Sequence, residues 1–151
     1  MTQKMSSQKE VIFRIGSEEY GISVTDVVSI EKARETTPVP ESSPYLLGMI
    51  DLRGTVIPII DLSKIFGGAP IAITESTRYI VAQVEDQVVG FAVDAATDII
   101  DVPGTMIQKP AIVQSTFIYG IAKLEERMIV LLDIPNLVKN LVGESIYTKN
   151  H

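Results

Sequence analysis

Apolar and polar positions alternate in short runs along most of the chain, and each run ends in a turn signal. Val11, Phe13 and Ile15 fall on one face of a first strand, residues 17–19 make a turn, and Tyr20, Ile22 and Val24 return as its partner. That is the period-two pattern of a β-hairpin. Pro38, Pro40 and Pro44 mark a loop, because proline lacks the N–H that a central strand or helix interior requires. Runs over 46–52 and 55–60 flank Arg53-Gly54, where glycine supplies the positive φ of a tight turn. Asp61 is then placed to cap a short helical turn that Gly67 stops. The second half repeats the style, with runs over 79–85, 88–93 and 128–132. A helix is predicted over 135–143, with Leu137, Val138 and Leu141 on one face. Residues 1–10 read as a flexible arm and 144–151 as a tail, which leaves one domain over 11–143.

The repetition extends to individual residues. Gly21, Val24 and Ile30 match Gly90, Val93 and Ile99 at an offset of 69 positions. Gly48, Ile57, Asp61 and Ile65 match Gly120, Ile129, Asp133 and Leu137 at an offset of 72. Two matches at nearly one offset indicate a duplicated unit with three residues added in the later half. Two copies are too few for a solenoid, so the expected outcome is two small barrels or sheets sharing an apolar seam.

Composition narrows the chemistry. A chain of 151 residues with 46% hydrophobic content and a net charge of -6 can bury a core and is not disordered. It has no cysteine, and its single histidine is the last residue, His151. Thiolate nucleophiles, cysteine metal sites and imidazole acid/base chemistry are therefore not expected. A pI near 4.8 argues against binding nucleic acid. The apolar runs are far shorter than a membrane helix, and no export signal opens the chain, so a cytoplasmic protein is expected.

Any enzymatic reading must rest on carboxylates. Asp61 and Asp133 hold matching repeat positions and in a pseudo-symmetric fold could approach one Mg²⁺, giving a small hydrolase. The simpler account is that each caps the helix that follows it. Asp94, Asp98 and Asp101 read as a solvated face, and Gly67-Gly68 lacks the spacing of a phosphate loop. A binding surface is the better expectation. Val24, Val27, Val28 and Ile30 have helix-like spacing, and Val93, Ala96 and Ile99 mirror them. The two stripes either line a groove for a partner's helix or form the core between the halves.

These residues also resemble a known family. The segments Tyr20-Gly-Ile-Ser-Val24, Val39-Pro40 and above all Gly48-Met-Ile-Asp-Leu-Arg-Gly-Thr-Val-Ile-Pro-Ile-Ile-Asp-Leu62 are similar to the CheW family. So are Val89-Gly-Phe-Ala-Val-Asp94, Gly120-Ile-Ala122 and Ile129-Val-Leu-Leu-Asp133. The resemblance spans about residues 11–143. It implies an all-β fold with short helices, built as two pseudo-symmetric five-stranded β-barrel subdomains on a shared hydrophobic seam. It also implies a non-catalytic adaptor without cofactor or metal, bridging chemoreceptors and the histidine kinase CheA through that kinase's regulatory domain. Neither nucleic acid nor membrane insertion is implied. Carried over by position, receptor contacts fall on Val27, Ile30, Ala96 and Ile99, with Gly48 and Arg53 linked to coupling; no kinase-binding residues can be assigned. Ser29 stands where many relatives carry an acid that can pair with the arginine, and Glu31 lies two positions on, so that pair is not expected here. The adaptor is expected to stand alone, without an attached phospho-acceptor domain.

Overall fold

Eleven strands and two helices account for the domain in a computed structural model that describes residues 7–149, with side-chain placement through residue 142. The strands are β1 (Ser7–Ile15), β2 (Glu18–Ser23), β3 (Val27–Lys32), β4 (Leu46–Leu52), β5 (Thr55–Asp61), β6 (Arg78–Val84), β7 (Gln87–Val93), β8 (Ala95–Pro103), β9 (Ile107–Gln108), β10 (Ile118–Leu124) and β11 (Arg127–Leu132). The helices are α1 (Leu62–Ile65) and α2 (Ile134–Lys149). Two sheets result, one ordered β8-β1-β2-β11-β10-β9 and the other β3-β6-β7-β5-β4.

The order reveals a strand exchange. β3 follows β2 in the chain but pairs with β6 of the second sheet, while β8 follows β7 but pairs with β1 of the first. Each sheet also rolls back on itself. β8 and β9 sit at opposite edges of the first sheet, yet only the 3₁₀ turn Gly104–Met106 separates them. In the second sheet the chain leaving β3 reaches the far edge through the Thr37–Met49 bridge. The architecture is consistent with paired barrels, although the first sheet has six strands rather than five, the extra one being the two-residue β9.

The duplication holds in the backbone. Asp61 N–H donates to the Tyr45 carbonyl as Asp133 N–H donates to that of Phe117, both at 2.7 Å. Ser43 and Ser115 accept from the N–H two residues on, again 72 positions apart. The hairpin turns match too: Arg53 and Glu125 both adopt φ near +50°, at 51° and 53°.

Three cores follow from alternation. Ile12, Val102, Ala122, Ile129 and Leu131 cluster on the first sheet, and Ile50, Leu52, Ile57, Ile59, Tyr79, Val81 and Ala92 on the second. The largest lies between them. There Val11, Phe13 and Ile22 of the first sheet meet Ile80, Ala82, Phe91 and Val93 of the second, with Leu137 and Val138 of α2. Phe66, just after α1, stacks on Tyr20, which stacks on Phe13 at centroid distances of 5.0 and 5.6 Å.

Several expectations need correction. Ser7–Glu10 belong to β1 rather than an arm, because they pair with β8 residues from Pro103 to Ile100. Val24 sits in a 3₁₀ turn, Val24–Asp26, not in β2. α2 starts at Ile134 and continues to Lys149, into the expected tail. Residues 1–6 and 150–151, including His151, lie outside the described residues.

Removing seam contacts should therefore be costly. Phe91→Ala is expected to lower stability by about 3–5 kcal/mol in urea unfolding, the usual cost of truncating a buried phenylalanine. Val56→Ala, on an exposed outer position, should change it by less than about 0.5 kcal/mol.

Candidate functional site

Two edge strands, β3 and β8, carry four of the residues singled out by sequence. Neither is regular. The pairing of β3 with β6 slips by one residue between Val27 and Ser29, which makes Val28 an extra residue. β8 slips against β1 in the same way, with Thr97 as the extra residue. Val28 and Thr97 are 69 positions apart, so the two β-bulges are copies of each other. In β8 the Thr97 hydroxyl donates to the Ile12 carbonyl at 3.3 Å and ties the bulge to β1.

The bulges set which side chains share a face. Residues three apart in a regular strand point to opposite sides. With one residue looped out, Val27 stands opposite Ala82 and Ile30 opposite Ile80, both seam-facing positions. Ala96 and Ile99 likewise stand opposite Phe13 and Val11. The helix-like spacing of these residues is thus a strand with a bulge. Val27 packs on the seam core and Ala96 is half-buried, whereas Ile30 and Ile99 remain 38% and 58% exposed. β3 and β8 belong to different sheets and do not hydrogen-bond to each other.

Gly48 and Arg53 are built differently. Gly48 is buried at a third bulge, between Leu46 and Gly48 in β4, and has φ +151°. A Cβ there would lie 2.6 Å from the Thr37 carbonyl and 2.8 Å from the Thr36 hydroxyl. Its place is therefore one of backbone approach, holding the chain after β3 against β4. Arg53 opens the β4–β5 turn with φ +51°. Its guanidinium lies 3.6 Å from the Glu31 carboxylate. This corrects the expectation that no such pair forms: Glu31 and Ser29 share a face of β3, so moving the acid by two residues keeps it on the same side. Ser29 itself is left with a buried hydroxyl that has no hydrogen-bond partner among the described residues.

The carboxylates read as caps. Asp61, fully buried, accepts from Ser63 N–H (3.1 Å), Lys64 N–H (3.4 Å) and Ile71 N–H (3.0 Å). Asp133 accepts from Asn136 N–H (3.1 Å) and the Asn136 side-chain amide (3.0 Å). Helix N-termini leave such donors free, and these side chains satisfy them. Among the described residues no group of three or more acidic side chains is arranged to hold a metal ion. Asp98 and Asp101 of the acidic row are partnered by Arg127 (4.0 Å) and Lys9 (3.1 Å). Arg127 also makes a two-pronged contact with Glu19 at 2.9 and 3.0 Å, and this hydrogen bonding holds the Glu19 carboxyl below its usual range. Sequence reasoning missed the two bulges and the Arg127–Glu19–Asp98 group. The bulges carry no glycine, and the ion pairs depend on register.

A CheW-like domain model matches residues 9–142. Chemotaxis protein CheW of Bacillus subtilis is 40% identical over 132 residues, covering 85% of each chain. Chemotaxis protein CheW of Helicobacter pylori is 34% identical over 143 residues, covering 90% of this chain and 87% of that one. The crystal structure of a scaffolding protein, TtCheW from Thermoanaerobacter tengcongensis, superposes with a TM-score of 0.78 at 33% identity, covering 85% of each chain.

Gly48→Ala is expected to cost about 1–3 kcal/mol in thermal or urea unfolding, because the added carbon meets backbone at an unfavourable φ. Arg53→Ala should leave stability within about 0.5 kcal/mol, since its guanidinium is 73% exposed and exposed pairs contribute little.

Proposed function

The chain belongs to the CheW-like domain family, and from that premise we propose that it is a non-catalytic adaptor linking chemoreceptors to the histidine kinase CheA. The observation that carries this reading is the pair of bulged edge strands. Each offers one half-buried anchor, Val27 or Ala96, and one exposed isoleucine, Ile30 or Ile99, on the seam side of its sheet. Apolar side chains at that spacing suit the apolar stripe of a receptor's helical hairpin tip. Gly48 supports this surface by holding the segment after β3, and Arg53 by its contact with Glu31 on β3 itself. Asp61 and Asp133 each cap the helix that follows them, which accounts for both without the hydrolase reading.

The kinase contact is proposed to run through CheA's regulatory domain, on a surface separate from the bulged strands. Recruitment to receptor arrays from the cytoplasm follows from that pairing. No helix among the described residues is long and apolar enough to cross a membrane. A helix-tip contact of this kind buries on the order of 1,200 Å² or less, so each contact is weak alone. Linked contacts in an array raise effective concentration and hold the assembly.

The test is calorimetric titration of the protein with a receptor signalling tip and with the CheA regulatory domain, singly and together. Binding of both at once without Mg²⁺ is expected; failure to bind either refutes the adaptor role. Ile30→Asp should weaken receptor binding at least about tenfold, about 1.4 kcal/mol, while leaving kinase binding unchanged. Ile30 is the sharper probe than Val27, because Val27 also packs on the seam core and its replacement would disturb the fold. Unaltered receptor affinity in a folded Ile30→Asp protein would place the receptor surface elsewhere.

A further inference from the structure

The two barrels share one layout at the end that receives the helix cap, but they fill it differently. In the second barrel Gly90 lies against Ile59, and Tyr79 and Asp61 are among the buried side chains that carry polar atoms. The Tyr79 hydroxyl donates to the Arg34 carbonyl at 2.6 Å, and Asp61 is saturated by three N–H groups. In the first barrel Gly21 lies against Leu131, and Asp133 and Glu10 take the places of Asp61 and Tyr79. Asp133 is bonded by Asn136. Glu10 is only 3% exposed, and its carboxyl has no hydrogen-bond or ion-pair partner among the described residues.

What surrounds Glu10 favours a neutral carboxyl. Its Oε1 lies 3.2 Å from where a Gly21 side chain would begin, beside Leu131 and Ile12. β2 and β8 bring Ser23 and Ile100 opposite it. The adjacent ammonium, on Lys9, is held by Asp101 at 3.1 Å. Ser23, opposite Glu10, leads directly into the Val24–Asp26 turn, and after burial the like charge of Asp26 raises the Glu10 carboxyl, as that of Asp133 does, after burial, for Asp26. A carboxylate held largely out of water with no cation bound to it, beside a second one, is costly, and taking up a proton relieves the cost.

We propose that Glu10 is a proton-operated latch between β1 and the Val24–Asp26 turn. Protonated, its carboxyl rests inside the barrel mouth and the turn stays packed on β1. Ionised, it is driven toward water and away from Asp26, which loosens the turn and the start of β3 that follows it. Because β3 begins at Val27, proton uptake firms the strand that carries Val27 and Ile30. The latch itself does not depend on which partner β3 meets.

Burial, reinforced by the Asp26 charge, pushes the Glu10 carboxyl up to about 7 from 4.5. An acid whose pKa is raised by folding binds more protons folded than unfolded between those values. Its stabilising contribution is therefore full below pH 4.5, is lost as pH climbs from 4.5 to about 7, and changes no further above that. Between pH 6 and pH 8 the ionised fraction rises from roughly a tenth to roughly nine-tenths.

The test is a carbon-13 NMR titration of the Glu10 carboxyl in the full chain, together with amide hydrogen exchange at residues 24–28 at pH 6 and pH 8, corrected for intrinsic rates. We expect a midpoint near 7 and about tenfold weaker protection at pH 8. Glu10→Gln, which mimics the neutral acid, should abolish the pH dependence of protection. Asp26→Asn should move the Glu10 midpoint downward while keeping the fold, so the proposal does not hang on one variant. A Glu10 midpoint in the ordinary range near 4.5 would overturn it. So would equal protection at both pH values in the unmodified protein, or a pH dependence that survives in Glu10→Gln.

Discussion

Burying the seam brings into each sheet a hairpin from the other half of the repeat, β1–β2 between β8 and β11 and β6–β7 between β3 and β5. β3 leaves the hairpin it follows and joins β6, and β8 does the reverse onto β1. Neither sheet is complete without strands of both halves. The short links at Val24–Asp26 and Asp94 are what cross between the sheets. The Asp94 link is pinned at both ends, by Asp94 N–H donating to the Arg14 carbonyl at 2.9 Å and Gly16 N–H donating to the Asp94 carboxylate at 2.6 Å. The exchange also explains why the largest core lies between the barrels. Phe13, Ile22, Ile80 and Phe91 meet there because the crossing strands hold the two inner faces together. The candidate binding residues occupy the rim of that seam, on the strands that are exchanged.

Duplication supplies two copies of every device, and the copies have diverged. The caps Asp61 and Asp133 sit alike, but α1 is a single turn while α2 is long enough to lay Leu137 and Val138 on the seam. The bulge at Thr97 is tied by a hydroxyl, and the one at Val28 is not. Tyr79 donates to the Arg34 carbonyl, and Glu10 stands in its place in the other copy. A binding surface drawn from both halves is therefore related by symmetry in outline and unequal in detail.

Much of the fold was legible because it is local. The Arg53-Gly54 turn, the strands on either side of it and the Asp61 cap each depend on neighbouring residues and are visible in alternation and turn chemistry. The repeat was legible because both copies keep glycines and aspartates at fixed offsets. The strand exchange was not, since alternation reports which face is buried and not which sheet a strand joins. Val24 to Ile30 read as helical because a bulge moves a period-two pattern toward spacings of three. Ser7 to Glu10 read as a loose arm because their polar side chains hide a pairing with β8 that only the fold supplies. The Arg53–Glu31 contact turned on strand geometry rather than on residue spacing.

If strand exchange makes the two sheets one unit, they must unfold together. The direct measurement is native-state amide hydrogen exchange in increasing urea, following Ile22 in the first sheet and Phe91 in the second. Both amides are predicted to exchange through one global opening, with the same free energy and the same urea dependence. Opening energies that stay apart by more than about 2 kcal/mol, or one sheet exchanging while the other remains protected, would contradict the account.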